Sequence, residues 1–186
     1  MFNDTESPLV FTARMISEVK EDADRKFAVN YYMTDRTIMV IEGKDPRRGI
    51  QGGRFLSRMK AINPRTGAPF NDADFGLGEI LTISGRDFEL IDAPEYTLCQ
   101  MEAHSDRFPK ADLQQAMEAV AALGDLTGDF EALDPRKSGK VALEDAKSIF
   151  ANYSTLAKQS AVTVTRRFTE GSLYNYRDML RFVEML

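Results

Sequence analysis

One twelve-residue segment carries oxygen donors at the spacing of a calcium-binding loop. Asp134–Asp145 reads DPRKSGKVALED, and such loops place ligands at positions 1, 3, 5, 7, 9 and 12, with glycine at position 6. Asp134, Ser138, Lys140 and Asp145 occupy positions 1, 5, 7 and 12. The pattern therefore keeps the outline of a calcium loop.

Two substitutions weaken this loop as a metal site. Arg136 places a cation at position 3, where an anion is needed, and Asp145 is shorter than the bidentate glutamate usual at position 12. Two liganding carboxylates are too few to dehydrate Ca²⁺ well. We therefore interpret the segment as a vestigial calcium loop and expect no bound metal or cofactor.

A second segment, RRGIQGGRF over residues 47–55, concentrates glycine and arginine. Glycine-rich loops can cradle phosphate, but no Gly-Lys-Ser/Thr follows here and no helix is predicted to open there. The glycines favour a turn with positive φ. We expect a structural loop that presents arginines, and the predicted partner-binding residues are Arg47, Arg48, Arg54 and Arg58.

These arginines belong to a longer basic strip. Asp45 is the only acid between Lys44 and Arg65, among seven basic residues. Such a strip could meet an acidic partner surface, or its members could be solvated loop and strand-edge side chains. The sequence leaves both interpretations open.

Other residue types that perform chemistry lack the neighbours they would need. His104 is the only histidine and has no cysteine cluster near it. Cys99 is expected to pack within a strand beside Met101. Asp72 and Asp74 are interpreted as turn and cap residues. No serine has a GxSxG context, so no enzymatic activity is expected.

Composition narrows the class of protein further. The chain has 186 residues, a net charge of −5 and one cysteine, so no internal disulfide is possible and a reducing compartment is expected. The acidic charge disfavours nucleic acid as a partner. No apolar run approaches the roughly 20 residues that span a bilayer, and the acidic N-terminus does not resemble a secretory signal, so no membrane association is expected.

The first hundred residues predict short strands separated by turn residues, which favours a small barrel or sandwich. Gly85, in the link Ser84-Gly85-Arg86, predicts a type II′ hairpin. The seven predicted strands are Leu9–Ile16, Phe27–Met33, Thr37–Ile41, Phe55–Ile62, Glu79–Ile83, Asp87–Ile91 and Tyr96–Met101.

The remainder of the chain predicts helices. Apolar residues of Lys110–Leu123 recur at helical spacing between Pro109 and Gly124. The change in composition places a boundary within His104–Pro109, giving a β domain over residues 1–107 and a helical region over 108–186. Four further helices are predicted over Thr127–Leu133, Leu143–Tyr153, Thr155–Arg166 and Asn175–Met185.

Four ordered segments of the first domain resemble the DM-10 domain of ciliary proteins. They are residues 24–42, RRGIQGGRFLSR (47–58), 70–92 and APEYTLCQME (93–102). The resemblance implies a pleckstrin-homology-like fold, in which a bent seven-stranded barrel is closed by a C-terminal helix. The helix over Lys110–Leu123 is compatible with that role, so the expected fold class is α+β.

The helical region resembles a degenerate EF-hand pair. Gly171, Leu173 and Phe182 follow Gly139, Val141 and Phe150 at a spacing of 32 residues. Val141 is then expected to pair with the partner loop, in which Arg166, Phe168 and Arg177 cannot bind a cation. A DM-10 module followed by such a pair resembles the C-terminal part of the EF-hand-containing ciliary proteins, the myoclonin and protofilament-ribbon group.

This resemblance implies a non-enzymatic structural protein of ciliary or flagellar axonemes. It would be a microtubule inner protein whose partners are tubulin in doublet microtubules and other axonemal proteins. The alternative is a regulatory module whose tail senses calcium and whose barrel binds a partner or a phosphoinositide. Some nucleoside diphosphate kinases carry a DM-10 module, but no kinase domain follows here.

Overall fold

The computed structural model describes residues 7–22 and 24–186, and a β-rich unit, Met1–Phe108, precedes a helical unit, Pro109–Leu186. The architecture is therefore α+β. No helix in the described part of the chain is long and apolar enough to cross a bilayer.

One antiparallel sheet forms the framework of the first unit. Its six described strands are β1 (Leu9–Ile16), β2 (Phe27–Tyr32), β3 (Thr37–Glu42), β4 (Gly53–Met59), β5 (Ile80–Ile83) and β6 (Arg86–Asp92). They lie in the order β4-β3-β2-β1-β6-β5. Alternate residues of β1 are buried, because successive side chains of a strand face opposite sides of the sheet.

The sheet curls into a half-barrel around aromatic side chains. The ring centroids of Phe55 on β4 and Phe88 on β6 lie 6.2 Å apart, although three strands separate β4 from β6 in the sheet. Phe27 on β2 packs edge-on against both rings, at 5.0 and 5.3 Å. Strands distant in the sheet order can share these contacts only if the sheet bends.

The seventh predicted strand, Tyr96–Met101, is wrong, because this segment lies in a helix, α1 (Glu95–Ala103). The buried residues Thr97, Leu98 and Met101 follow helical spacing, whereas Cys99 is exposed rather than packed. The Thr97 hydroxyl oxygen accepts a hydrogen bond of 2.9 Å from the Val10 backbone N–H. This contact helps to seat α1 on β1.

The hairpin between β5 and β6 also differs from its prediction. Ile83 pairs with Arg86, so Ser84 and Gly85 are its two central residues. Their φ angles are +51° and +73°. Two positive φ angles define a type I′ turn, not the expected type II′ turn, and glycine at the second position suits that geometry.

The second unit is helical with a small central sheet. Its helices are α2 (Leu113–Ala121), α3 (Thr127–Glu131), α4 (Leu143–Ala151), α5 (Lys158–Arg167) and α6 (Tyr176–Glu184). Two-residue strands β7 (Val141–Ala142), β8 (Thr169–Glu170) and β9 (Leu173–Tyr174) lie in the order β7-β9-β8. The four predicted tail helices are confirmed, with ends that differ by up to three residues.

The expectation that the helix within Lys110–Leu123 closes the barrel is wrong. The buried residues of α2, Ala116, Met117 and Val120, belong to the hydrophobic core of the second unit. The helix that packs on the sheet of the first unit is α1. The sequence predicts the apolar stripe of α2 correctly, but spacing does not identify the surface against which a stripe packs.

Candidate functional site

The glycine-arginine segment forms a capped turn between β3 and β4. The Asp45 side chain accepts a hydrogen bond of 3.1 Å from the Arg47 backbone N–H. Glycine is needed at Gly52, where φ is +71° and an added Cβ would lie 2.8 Å from the backbone nitrogen of Lys44. The segment is thus a tight backbone turn, which agrees with the structural interpretation of its glycines.

Two of the four predicted partner-binding arginines are held by acidic neighbours within the unit. Arg48 donates to the Asp24 carboxylate at 2.5 Å, and this hydrogen bond raises the pKa of Arg48. Arg58 donates to Asp35 at 2.8 Å, and its side chain is only 10% exposed. Its guanidinium carbon lies 3.5 Å from the centroid of the Tyr32 ring. Arg58 is therefore packed into the module.

Arg47 and Arg54 remain exposed at one end of the β3–β4 hairpin. Arg47 lies in the connecting turn, and Arg54 lies at the start of β4, opposite Ile41. Within residues 7–22 and 24–186, neither guanidinium forms an ion pair. Of the four predicted arginines, these two are thus exposed and form no ion pair with a described residue, whereas Arg48 is exposed but paired and Arg58 is mostly buried.

The calcium-type loop is closed by hydrogen bonds of the protein itself. The buried Asp134 carboxylate accepts from the Gly139 N–H at 2.7 Å and from the Tyr176 hydroxyl at 2.9 Å. The Ser138 hydroxyl, 3.0 Å from this carboxylate, lies 3.1 Å from the Lys140 carbonyl oxygen. Asp145 is exposed. Position 1 of the loop is therefore already surrounded by donors.

These donors also set the charge of Asp134. Burial alone would raise the pKa of its carboxyl, but hydrogen bonds from Gly139, Ser138 and Tyr176 lower the pKa to about 2. Since this lies below the value of an unfolded aspartate, the carboxylate stabilises the folded unit at neutral pH. That contribution declines as the pH falls from about 4 towards 2.

An arginine covers the same loop. Arg177 donates from its guanidinium to the Lys137 carbonyl oxygen at 2.7 Å. A Cβ built on Gly139 would lie 2.8 Å from the guanidinium carbon of Arg177. Nowhere in the described ranges do three or more His, Cys, Asp or Glu side chains cluster as a metal site would require. A positive charge over a loop with one engaged carboxylate does not fit a Ca²⁺ site.

The second predicted loop is a β-hairpin, β8–β9, and the predicted alignment is off by one residue. Val141 does pair with the partner segment, as expected, but it pairs with Tyr174 and not with Leu173. Tyr174 is fully buried whereas Leu173 is 44% exposed. The structural repeat is therefore 33 residues, which aligns the buried residues Ala146 and Met179.

The core of this hairpin contains one unpaired hydroxyl. The Tyr174 hydroxyl is buried and is among the side-chain atoms of the described residues that find no hydrogen-bond partner. Burial raises its pKa. The Tyr174 ring packs against Phe130 and Phe150, at centroid distances of 5.8 and 5.9 Å. Tyr174 is therefore a packing residue in the core of the second unit.

Replacing Tyr174 with phenylalanine is expected to stabilise the second unit by about 1 kcal/mol, because it removes an unpaired buried hydroxyl and keeps the ring. The matched variant Tyr176→Phe should destabilise that unit instead, because it removes the hydrogen bond to Asp134. Hydrogen exchange of peptides from α4 and α6, which reports on the second unit alone, compares the two variants. Equal effects of the two substitutions would show that the hydroxyl environments do not differ.

Sequence reasoning missed a buried polar group in the first unit. The Tyr31 hydroxyl donates to Asp72 at 2.5 Å, and the Arg107 Nε donates to the other carboxylate oxygen at 2.6 Å. Burial and this hydrogen bond raise the pKa of Tyr31. Asp72 was expected to be a turn residue, yet it joins a strand to the segment after α1. Asp74 does cap its turn, accepting from the Asn71 N–H.

The first unit is thus a curled antiparallel sheet, and the second is a helical unit with a calcium-type loop whose position-1 carboxylate accepts hydrogen bonds from the protein. The chain matches the DM10 domain family over residues 1–97 and belongs to that family.

Curated relatives match both units. EF-hand domain-containing family member C2 of Danio rerio is 27% identical over 87% of this chain, and the protein of that name from Bos taurus is 28% identical over 90%. EF-hand domain-containing protein 1 of Homo sapiens is 27% identical over 81%. These matches cover 23%, 25% and 23% of the respective relatives, so the chain spans about a quarter of their length.

Proposed function

We propose that this chain is a non-enzymatic structural component of ciliary or flagellar axonemes, where it acts as a microtubule inner protein that stabilises doublet microtubules. The supporting observation is that similarity to the EF-hand domain-containing relatives runs through both units of the chain. Neither the family description nor the names of these relatives denote an enzyme. We also propose that the half-barrel with α1 is a pleckstrin-homology-like module.

The structure supports a static role in two ways. Protein donors already occupy the Asp134 carboxylate at position 1 of the calcium-type loop. Arg47 and Arg54 form an exposed basic end of the β3–β4 hairpin, which suits contact with an acidic surface such as that of tubulin. Partner contact through these two arginines, rather than through Arg48 and Arg58, is part of the proposal.

Fractionation of axonemes tests the localisation. The chain, tagged and expressed in a ciliated cell, is expected to stay with doublet microtubules after detergent and high-salt extraction, and to resist protease while the doublets are intact. The double variant Arg47→Gln/Arg54→Gln should be retained less well than Arg48→Gln. Recovery of the unmodified chain in the detergent-soluble fraction would contradict an axonemal structural role.

Titration with calcium separates the proposed structural role from the calcium-responsive alternative. Isothermal titration of the full chain with CaCl₂ is expected to give no heat of binding at micromolar Ca²⁺, because Arg136 and Arg177 place positive charge at the loop. The variant Arg136→Asp restores an oxygen ligand at position 3 and serves as the comparison. Micromolar binding by the unmodified chain would support the regulatory function instead.

A further inference from the structure

An open cleft of about 570 Å³ lies in the first unit, beside the β2–β3 connection and α1. Its walls include Met33 and Arg36 from the connection, Tyr96 from α1, and His104 and Arg107 from the segment after α1. None of the described residues that line it is acidic. The cleft is distinct from the Arg47–Arg54 end of the module.

Arg36 supplies an accessible positive charge. It is an exposed residue in the left-handed region, with φ of +54°, at the last position before β3. Across residues 7–22 and 24–186, no carboxylate forms an ion pair with its guanidinium. An exposed arginine in a tight hairpin connection can bind an anion with little rearrangement of the backbone.

Arg107 supplies a second, firmly positioned guanidinium. Its Nε donates to the buried Asp72 at 2.6 Å, and an Nη lies 3.5 Å from the Met33 carbonyl oxygen. The side chain remains 37% exposed. Asp72, itself held by Tyr31, fixes the orientation of this guanidinium at the wall of the cleft. Such positioning lowers the entropy lost when an arginine binds an anion.

We propose that this cleft binds a carboxylate group of an acidic peptide segment of a partner protein. Asp72 neutralises most of the charge of Arg107, and Asp106 lies close enough to influence it as well. Because Asp106 is exposed to water and contributes least, the positive charge left over is near that of Arg36 alone, which matches a monoanionic carboxylate better than a dianionic phosphate. Tyr96 and Met33 offer apolar surface to the carbon atoms of a glutamate or aspartate. The inference does not depend on an axonemal location.

Binding of an acetylated, amidated hexaglutamate peptide to the full chain tests this inference. Titration calorimetry is expected to show binding that Arg36→Gln weakens about tenfold, because a charge-assisted hydrogen bond is lost. Arg65→Gln is the matched control, since Arg65 is exposed on a different loop of the same unit and the change in net charge is identical. This control should change affinity by less than about twofold.

Three outcomes would overturn the inference. Equal weakening by Arg36→Gln and Arg65→Gln would show attraction to overall charge and not to this cleft. Tighter binding of inorganic phosphate than of the peptide, measured in a parallel titration, would show that the cleft does not select carboxylate. No heat of peptide binding by the unmodified chain would exclude the site. Circular dichroism confirms that each variant is folded before its titration is interpreted.

Discussion

Replacing Asp72 with alanine is expected to lower the free energy of unfolding of the first unit by about 2–4 kcal/mol, because it leaves polar groups without their partner. The Tyr31 hydroxyl is buried and loses its acceptor. The Arg107 guanidinium loses the carboxylate that orients it, although its partial exposure allows water to compensate. Most of the loss should therefore arise from Tyr31.

A second substitution separates these contributions. In the background Tyr31→Phe, which has no hydroxyl to satisfy, Asp72→Ala should cost clearly less than in the unmodified chain. Asp106→Ala is the matched control, because Asp106 is exposed, and its effect should stay within about 0.5 kcal/mol. Equal losses for Asp72→Ala and Asp106→Ala would show that the buried carboxylate does not stabilise the module.

The measurement must resolve the two units. The chain contains no tryptophan, and a two-unit protein need not unfold in one transition. Hydrogen exchange followed by mass spectrometry reports protection peptide by peptide, so peptides from β2 and α1 measure the first unit while peptides from α5 measure the second. Loss of protection confined to the first unit is the expected result for Asp72→Ala.

Local pattern predicted most of the sheet. The bounds of β1 agree with its prediction, because alternation of buried and exposed residues along a strand is visible in the sequence. The segment after Pro94 shows the limit of that approach. Its residues fit an alternating strand almost as well as a helix. Whether the segment forms a strand or a helix depends on the packing of α1 against β1, which local sequence does not reveal.

Long-range polar contacts could not be predicted in this way. Asp72 lies 41 residues from Tyr31 and 35 from Arg107 along the chain. No sequence spacing links these three side chains, which come from a strand, a turn and the segment after α1, and only the tertiary fold brings them together. The closing of the calcium-type loop is similar, because Tyr176 reaches Asp134 across 42 residues. The sequence predicts that this loop is a weak metal site, but it does not reveal which side chains contact the loop.

The off-by-one alignment of the two loops has a specific cause. Matching Gly139 with Gly171 assumed that both segments are twelve-residue loops. Gly171 instead lies in the turn of the β8–β9 hairpin, with φ of +64°. Val141 and Tyr174 are both buried and pair with each other, although the backbone of the second segment forms a hairpin and not a twelve-residue loop. Core positions are therefore a better guide to the repeat than glycines.

Replacing Gly139 with alanine is expected to lower the free energy of unfolding of the second unit by about 2–4 kcal/mol, through backbone strain and a steric clash. Gly139 has φ of +85°, which L-residues rarely adopt, and the new Cβ would lie 2.8 Å from Arg177. The Arg177 guanidinium would have to move and would lose its hydrogen bond to Lys137. The same movement would disturb the donors around Asp134.

Gly171→Ala isolates the backbone contribution to this loss. Gly171 also has a positive φ, of +64°, but an added Cβ there meets no atom within 4 Å. Its substitution should therefore cost only about 1–2 kcal/mol. In the background Arg177→Ala, the cost of Gly139→Ala should fall to that level, because the clash is gone. If Gly139→Ala and Gly171→Ala destabilised the unit equally, Arg177 would not cover the loop. Hydrogen exchange of peptides from α4 and α6 measures these differences, and it tests whether the Arg177 side chain covers the loop.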